Sequence, residues 1–401
     1  MLYELKKIVG ELYVKVLIGM MIIATIAVTL SALSFGFSAY KSANSDEEIK
    51  GTEAIKILKN RYSSVNDKVT VKKLNKVIKY YKSFNSDEAA EAAADIKYPG
   101  MVDLLNGVYS GSNDTNGKSI RDLKNANDFY KDRIKAVKLA IEENQKRDEY
   151  FSPYEKKAAI KIAKKTKTPF NNGFNNHWKL LYTMMPMLFI LLALISILIS
   201  VKFSAYEKDR RMNIVLSGLI TSRTRKVGQS KAFALGIFIT GIFFVSMIIS
   251  SSLFFANTGF DAWGSNVQLR YITSLYNFTF GGVYLIFMCV GWLSVVSIGL
   301  VSFLLGLVLR KTNLALVIMM LLFIVPSILI KIGIVGEGIR KILLLQPLNA
   351  FLVEKNILSF HVYNLGVVEV LTANGTIILA ILVSVISFVL IPKLFSRNIR
   401  I

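Results

Sequence analysis

The sequence predicts an all-α polytopic membrane protein, with six transmembrane helices and a mainly helical extracytoplasmic domain. Three observations carry this. Of 401 residues, 53% are hydrophobic and only 19% charged, with a mean hydropathy of +0.46; a soluble domain is less apolar and nearer one quarter charged. The apolar excess is gathered into uncharged runs long enough to span a bilayer. One polar block, residues 39–177, interrupts the pattern after the first run.

The formal net charge is +22, of which the polar block holds +8 and the remainder +14. Most of the excess therefore flanks the apolar runs, where anionic lipid and the positive-inside bias account for it without a nucleic-acid partner. Cys289 is the one cysteine and there are two histidines. No internal disulfide can form, so the polar block must be held by packing, and no zinc-ligand spacing exists.

The chain opens MLYELKKIVGELYVK, with Leu2, Leu5, Ile8, Val9 and Leu12 on one face and Glu4, Lys6, Lys7 and Glu11 elsewhere. That pattern predicts an interfacial amphipathic helix leading into the membrane. The uncharged run Val16–Phe37 is a first span with the amino terminus inside; it exceeds the core of about 7–15 residues of a signal peptide. Residues 1–38 form this first unit.

In 39–177, Lys, Asn, Asp, Glu and Ser dominate. Helices are predicted over Asp67–Phe84, Ser86–Ile96 with Ser86 as N-cap, and Ser119–Tyr150. Gly107–Ser119 reads as a loop. Tyr80, Tyr81, Phe84, Phe129, Tyr130 and Phe151 are among the aromatics available for a core. After one span from an inward terminus, this domain lies outside.

The third unit, 178–401, carries five further spans. Leu180–Val201 contains Pro186, which a membrane helix tolerates. The basic stretch 202–231 follows, with Met212, Val215, Leu216 and Leu219 at helical spacing, which predicts a short amphipathic helix at the inner membrane face. Ala232–Phe260 is the third span. Tyr271–Leu309 holds no charge and exceeds one crossing; a break at Gly281-Gly282 would separate an interfacial or re-entrant piece from the fourth span. Arg310-Lys311 make an inside turn. Asn313–Ile330 is the fifth span, with Pro326 near its outer end. Lys331–Val370 is apolar but interrupted by charge and by Pro347 and reads as a pair of short outer-leaflet helices, and Leu371–Ile391 as the sixth span, returning the chain to the inside. The protein is thus expected in the cell membrane, both termini cytoplasmic.

With that layout, the string FSAYEKDRRMNIVLSGLITSRTRKVGQSKA resembles the segment joining the second and third spans in membrane (permease) subunits of type-2 ABC exporters with a large ectodomain. Phe203, Glu207, Leu216, Ser217, Arg223 and Lys231 stand at that family's aromatic, acidic, Leu-rich, Ser-Arg and Lys positions; Arg210-Arg211 stand near a point where many such permeases have Gly. The resemblance implies a coupling helix seated in a cytoplasmic ATPase, with Glu207, Arg210, Arg211, Leu216, Ser217 and Arg223 as contact residues. It also implies a second permease, the same or a related chain. No G-x-x-x-x-G-K-[ST] string occurs, so this chain has no P-loop and needs no cofactor of its own; ATP and Mg would sit on the ATPase subunit. The apolar runs carry no Asp, Glu, Lys or Arg, which disfavours proton- or sodium-driven transport. The expected function is a non-enzymatic export permease for an amphipathic or lipid-like substrate, such as an antimicrobial peptide. The expected alternative is a non-transporting complex that transmits ATPase motion to the outside domain, and an anchor without an energy source is a third possibility. Ser246, Ser250, Ser251, Ser252, Asn277 and Thr279 are the few polar groups near the third and fourth spans; bonding of the serines to their own helix backbone is favoured over substrate contact.

Overall fold

The computed structural model describes all residues except 41–47, 64, 66, 111–118, 147–148, 219, 365, 367 and 400–401, and the side chain of Asn213. The chain is a multi-pass, all-α membrane protein: six helices are long and apolar enough to cross a bilayer. In order come α1 (Leu2–Gly10) and α2 (Leu12–Phe35), the strand pair β1 (Ser38–Tyr40) and β2 (Glu48–Lys50), and α3 (Gly51–Ser63), α4 (Val71–Lys82), α5 (Asp87–Lys97), α6 (Met101–Tyr109), α7 (Phe129–Lys146) and α8 (Pro153–Lys164). Next are α9 (Asn176–Asp209), α10 (Asn213–Ser217), α11 (Thr221–Thr258), α12 (Phe280–Leu309) and α13 (Thr312–Ile332). The short α14 (Glu337–Leu344), α15 (Pro347–Ala350) and α16 (Val353–Ile357), the hairpin β3 (Val362–Asn364)–β4 (Glu369–Leu371), and α17 (Thr372–Ile399) complete the chain.

The spans are α2, α9, α11, α12, α13 and α17. Helix α12 packs against α9, α11, α13 and α17. Close approach there depends on glycine: a Cβ at Gly306 would strike Ser204 of α9, the small-residue contact that membrane helices use in place of a hydrophobic driving force. Two thirds of the most apolar window of α9 is buried, against 22% for α2, α13 and α17, so α9 is interior and those three form the periphery.

The serines of α11 differ from the expectation. Ser246 and Ser250 bond across to Thr25 (2.8 Å) and Thr29 (2.9 Å) of α2, and Ser251 to the Tyr284 hydroxyl (2.6 Å). This hydroxyl ladder pins the first span to the third.

Lengths also differ. At about 1.5 Å per residue, the 34 residues of α9 and 38 of α11 run roughly 51 and 57 Å, well past a hydrocarbon core of about 30 Å. At the end away from the polar domain both stay packed against their neighbours, Thr224 bonding to Ser396 of α17 (2.8 Å) and Lys208 lining a recess with Arg310 and Asn398, so most of 202–231 is helical rather than a connector. Helix α17 likewise continues through Pro392 to Ile399.

No re-entrant helix precedes the fourth span. Residues 261–279 form a strap with one 3-10 turn at Val267–Leu269 and an Asn266–Thr279 bridge. Thr279 caps α12, its hydroxyl accepting from the Gly282 amide at 3.1 Å. Gly281 is required because the Trp263 indole occupies the space of a Cβ.

The polar block is a helical cluster. Ser86 caps α5 by accepting from Ala89, and Ser152 and Glu155 form a capping box on α8. Phe129, Tyr81 and Phe151 are buried, and edge-on rings link Phe129, Tyr130 and Phe170 at 5.1 Å spacing. The sequence-predicted loop at 107–119 lies mostly outside the described residues, its first three residues closing α6.

Candidate functional site

The end of the bundle opposite the polar domain is built on buried charge. Helix α1 is amphipathic, with Leu2 and Val9 facing outward. Its polar side does not face water: Glu4 and Ile8 are buried and turn toward α11. Lys7 Nζ lies 2.9 Å from Glu4 Oε1 and 3.2 Å from Glu207 Oε1 on α9. Lys231 on α11, with no exposed surface, sits 2.5 Å from Glu207 Oε2 and 3.9 Å from Glu4 Oε2. Its ammonium lies 4.0 Å over the Phe203 ring. Two carboxylates and two ammoniums thus alternate in one cluster, neutral as a set, tying three helices together. The low dielectric that makes an unpaired charge costly makes each member depend on the others.

This revises the role expected of Glu207. It is 3% exposed and committed to Lys7 and Lys231, so within this chain it is an internal strut. Phe203 and Glu207, one turn apart on α9, meet Lys231 of α11 here.

The tip beyond the cluster is where the other expected residues lie. Arg210 is exposed and pairs with Glu11 at 2.5 Å. Arg211 adopts φ 56°, a left-handed conformation that costs a non-glycine residue about 1–2 kcal/mol and stands near the point where the resembling permeases have Gly. The amphipathic helix is reduced to α10, five residues long. Leu216 is half-buried against the chain's own core, so it is not the projecting anchor; Ser217 and Arg223 are exposed. Leu219 lies outside the described residues. The apolar groups that do project are Ile214 (69% exposed), Val215 (76%) and Ile220 (68%), among Lys208, Arg211, Arg223, Arg225 and Lys226. Ile214 and Ile220 escape a periodicity reading because the helix is too short to impose one.

At the other end, the polar domain is fastened to two segments. The first is the strap. Arg133 of α7, 2% exposed, donates from Nε to Ile272 O (2.8 Å), from Nη2 to Ser274 O (3.0 Å), and from Nη1 to Ala163 O (3.2 Å) and Thr166 Oγ1 (3.1 Å). No carboxylate is among these partners, and burial lowers its pKa to about 10. Trp178 Nε1 donates to Asp261 O (2.9 Å), and Lys59 pairs with Asp261 (2.9 Å).

The second is 331–371. Lys341 Nζ lies 2.7 Å from buried Glu155, and His361 Nδ1 3.5 Å; Lys161 pairs with Glu369 at 3.2 Å. Burial pushes the Glu155 pKa up, but hydrogen bonds from His361, Lys341 and Ser152 outweigh it and hold the group at about 2. A carboxylate so depressed contributes stability that is present above its unfolded value of about 4.3 and is lost as pH falls toward 2. Hydrogen exchange in α8 and α14 is therefore expected to rise between pH 5 and 3, and Glu155→Gln should remove that dependence.

Among the described residues no group of three or more His, Cys, Asp or Glu could hold a metal ion. Of the polar groups near the third and fourth spans, Asn277 bonds to Thr166 and Ile162 of the polar domain, while Ser252 is exposed. No protein-family model matches the chain, and no curated protein or solved structure matches it either.

Proposed function

We propose that this chain is the membrane subunit of an ATP-driven exporter, working with a separate cytoplasmic ATPase that carries ATP and Mg. The observation that carries the reading is the turn joining two long helices, where Ile214, Val215 and Ile220 are exposed in a stretch that also holds Lys208, Arg211, Arg223, Arg225 and Lys226. Exposed apolar groups with a polar rim mark interaction sites. The buried cluster makes their base rigid enough to pass on a push. The basic residues at this end, with Arg310, Lys311, Lys393 and Arg397, support a cytoplasmic location for it by the positive-inside bias, with the polar domain outside. The exposed apolar faces of α2, α13 and α17 accommodate lipid and a second permease. An uncharged bundle suits an amphipathic or hydrophobic cargo, of which an antimicrobial peptide is one case.

Val215→Asp is expected to abolish co-purification of ATPase activity from native membranes while leaving the thermal midpoint of the permease unchanged. Losing an interface anchor costs about 2 kcal/mol or more, roughly thirtyfold in affinity. If no ATPase accompanies the wild type, the reading fails.

A second reading, transmission of ATPase motion to the polar domain without transport, is favoured by the double fastening through Arg133 and Glu155. It predicts that breaking either fastening abolishes the biological response while ATPase coupling persists; a transporter retains basal export.

A further inference from the structure

Two separate cavities flank the short segment between α14 and α15. The lower one, about 570 Å³ of empty space, lies among α12, α13 and α17, roofed by Leu345, Gln346 and Pro347. Its lining has no charged residue. The hydroxyls of Ser297 and Thr376 are spent on Ser294 O and Thr372 O of their own helices. Ser294, fully buried, has a hydroxyl without a hydrogen-bond partner among the described residues. Half-exposed Leu322 marks the side open to the bilayer.

The upper one, about 650 Å³, lies at the seam between the polar domain and α14–α16. It is dipolar: Glu149 and Lys355 stand among the amides Asn144, Asn349 and Asn356. Leu344 and Asn349 face it, while Leu345 and Pro347 face the lower one. On α17, Thr372 lines the upper cavity and Thr376 the lower, a separation of one turn or about 6 Å.

We propose that the two cavities are halves of one binding site for a single-chain amphiphile with a dipolar head, taken from the leaflet on the polar-domain side. Protein interiors hold few voids larger than a water molecule, and an apolar recess open to lipid is filled by hydrocarbon. The charge arrangement sets the orientation: chain below, cation and anion of the head against Glu149 and Lys355. The site needs no ATPase partner, so it stands or falls independently of the exporter reading.

The test uses lysophosphatidylcholine with a diazirine in its acyl chain, photolysed with the purified full-length protein in lipid nanodiscs, and the labelled peptides mapped. Label is expected on 319–323 and 376–383 and to be displaced by excess lysophosphatidylcholine. Ala380→Trp, which fills the lower cavity, should cut it at least tenfold; Val383→Trp at the half-exposed rim serves if Ala380→Trp does not fold. Lys355→Glu should weaken displacement by lysophosphatidylcholine severalfold, and not by dodecanol. Label spread equally over the exposed face of α2, or undiminished by either tryptophan, means annular lipid only and overturns the proposal. Cross-links from these peptides to a second copy of the chain would overturn it in favour of a subunit contact.

Discussion

Lys231→Met is expected to destabilise the protein by about 3–5 kcal/mol, the cost of leaving a buried carboxylate without its partner. Glu207 and Glu4 would then share one ammonium, that of Lys7, in a site where Lys231 had no exposed surface at all. The thermal midpoint in detergent reads the loss, and protease sensitivity of α1 should rise with it. The companion variant decides the mechanism. Lys231→Met/Glu207→Leu leaves Glu4 and Lys7 as a neutral pair and should recover most of the stability, since apolar replacement of a whole buried pair is often neutral. A double variant as unstable as the single one would mean that Lys231 matters for packing against Phe203 and not for charge.

Arg133→Met should cost at least about 3 kcal/mol, because hydrogen bonds to a charged donor are lost and the acceptors stay buried. Ile272 O would lose its donor in a closed seam, whereas Ser274 O keeps Gln268 Nε2 (3.3 Å) and Ala163 O keeps the Thr166 hydroxyl (2.9 Å). Arg133→Lys should not restore the lost bonds, since one ammonium cannot reproduce the planar fork that reaches four acceptors. Amide exchange is expected to accelerate in the strap at 261–279 and in α8 while the inner end keeps its protection. Uniform acceleration throughout would show global unfolding instead of a released seam.

Much of the architecture is legible in the sequence because the bilayer demands it. A run such as Ala232–Phe260 has no aqueous alternative, so its helix follows from composition. Helix ends are less legible. The extensions of α9 and α11 carry Lys208, Arg223 and Lys226 on exposed faces, and charge density in a basic stretch looks the same on a helix as on a connector. Glu207 is misleading for a related reason: its partners are at 7 and 231, and nothing local distinguishes a paired carboxylate from a solvated one. Ser246 and Ser250 are misleading because self-bonding is the common habit of such residues, whereas Thr25 and Thr29 recur at matching spacing on α2. The three-residue strands are too short to leave an alternation pattern.

The placement of α1 has a consequence for biogenesis. Its polar side is complete only when α9 and α11 are in place, yet it is synthesised before them. The Lys7–Glu207 contact spans 200 residues of sequence. At about 5–20 residues per second, Lys7 has only Glu4 as a counter-ion for some 10–40 s before Glu207 is made. During that interval Glu4 and Lys7 must rest among headgroups, and the helix closes onto the bundle as a late act of assembly. Its folding clock is therefore set by the ribosome, and a slower stretch of translation between α2 and α11 would prolong the period in which the first span is held by its hydrophobicity alone.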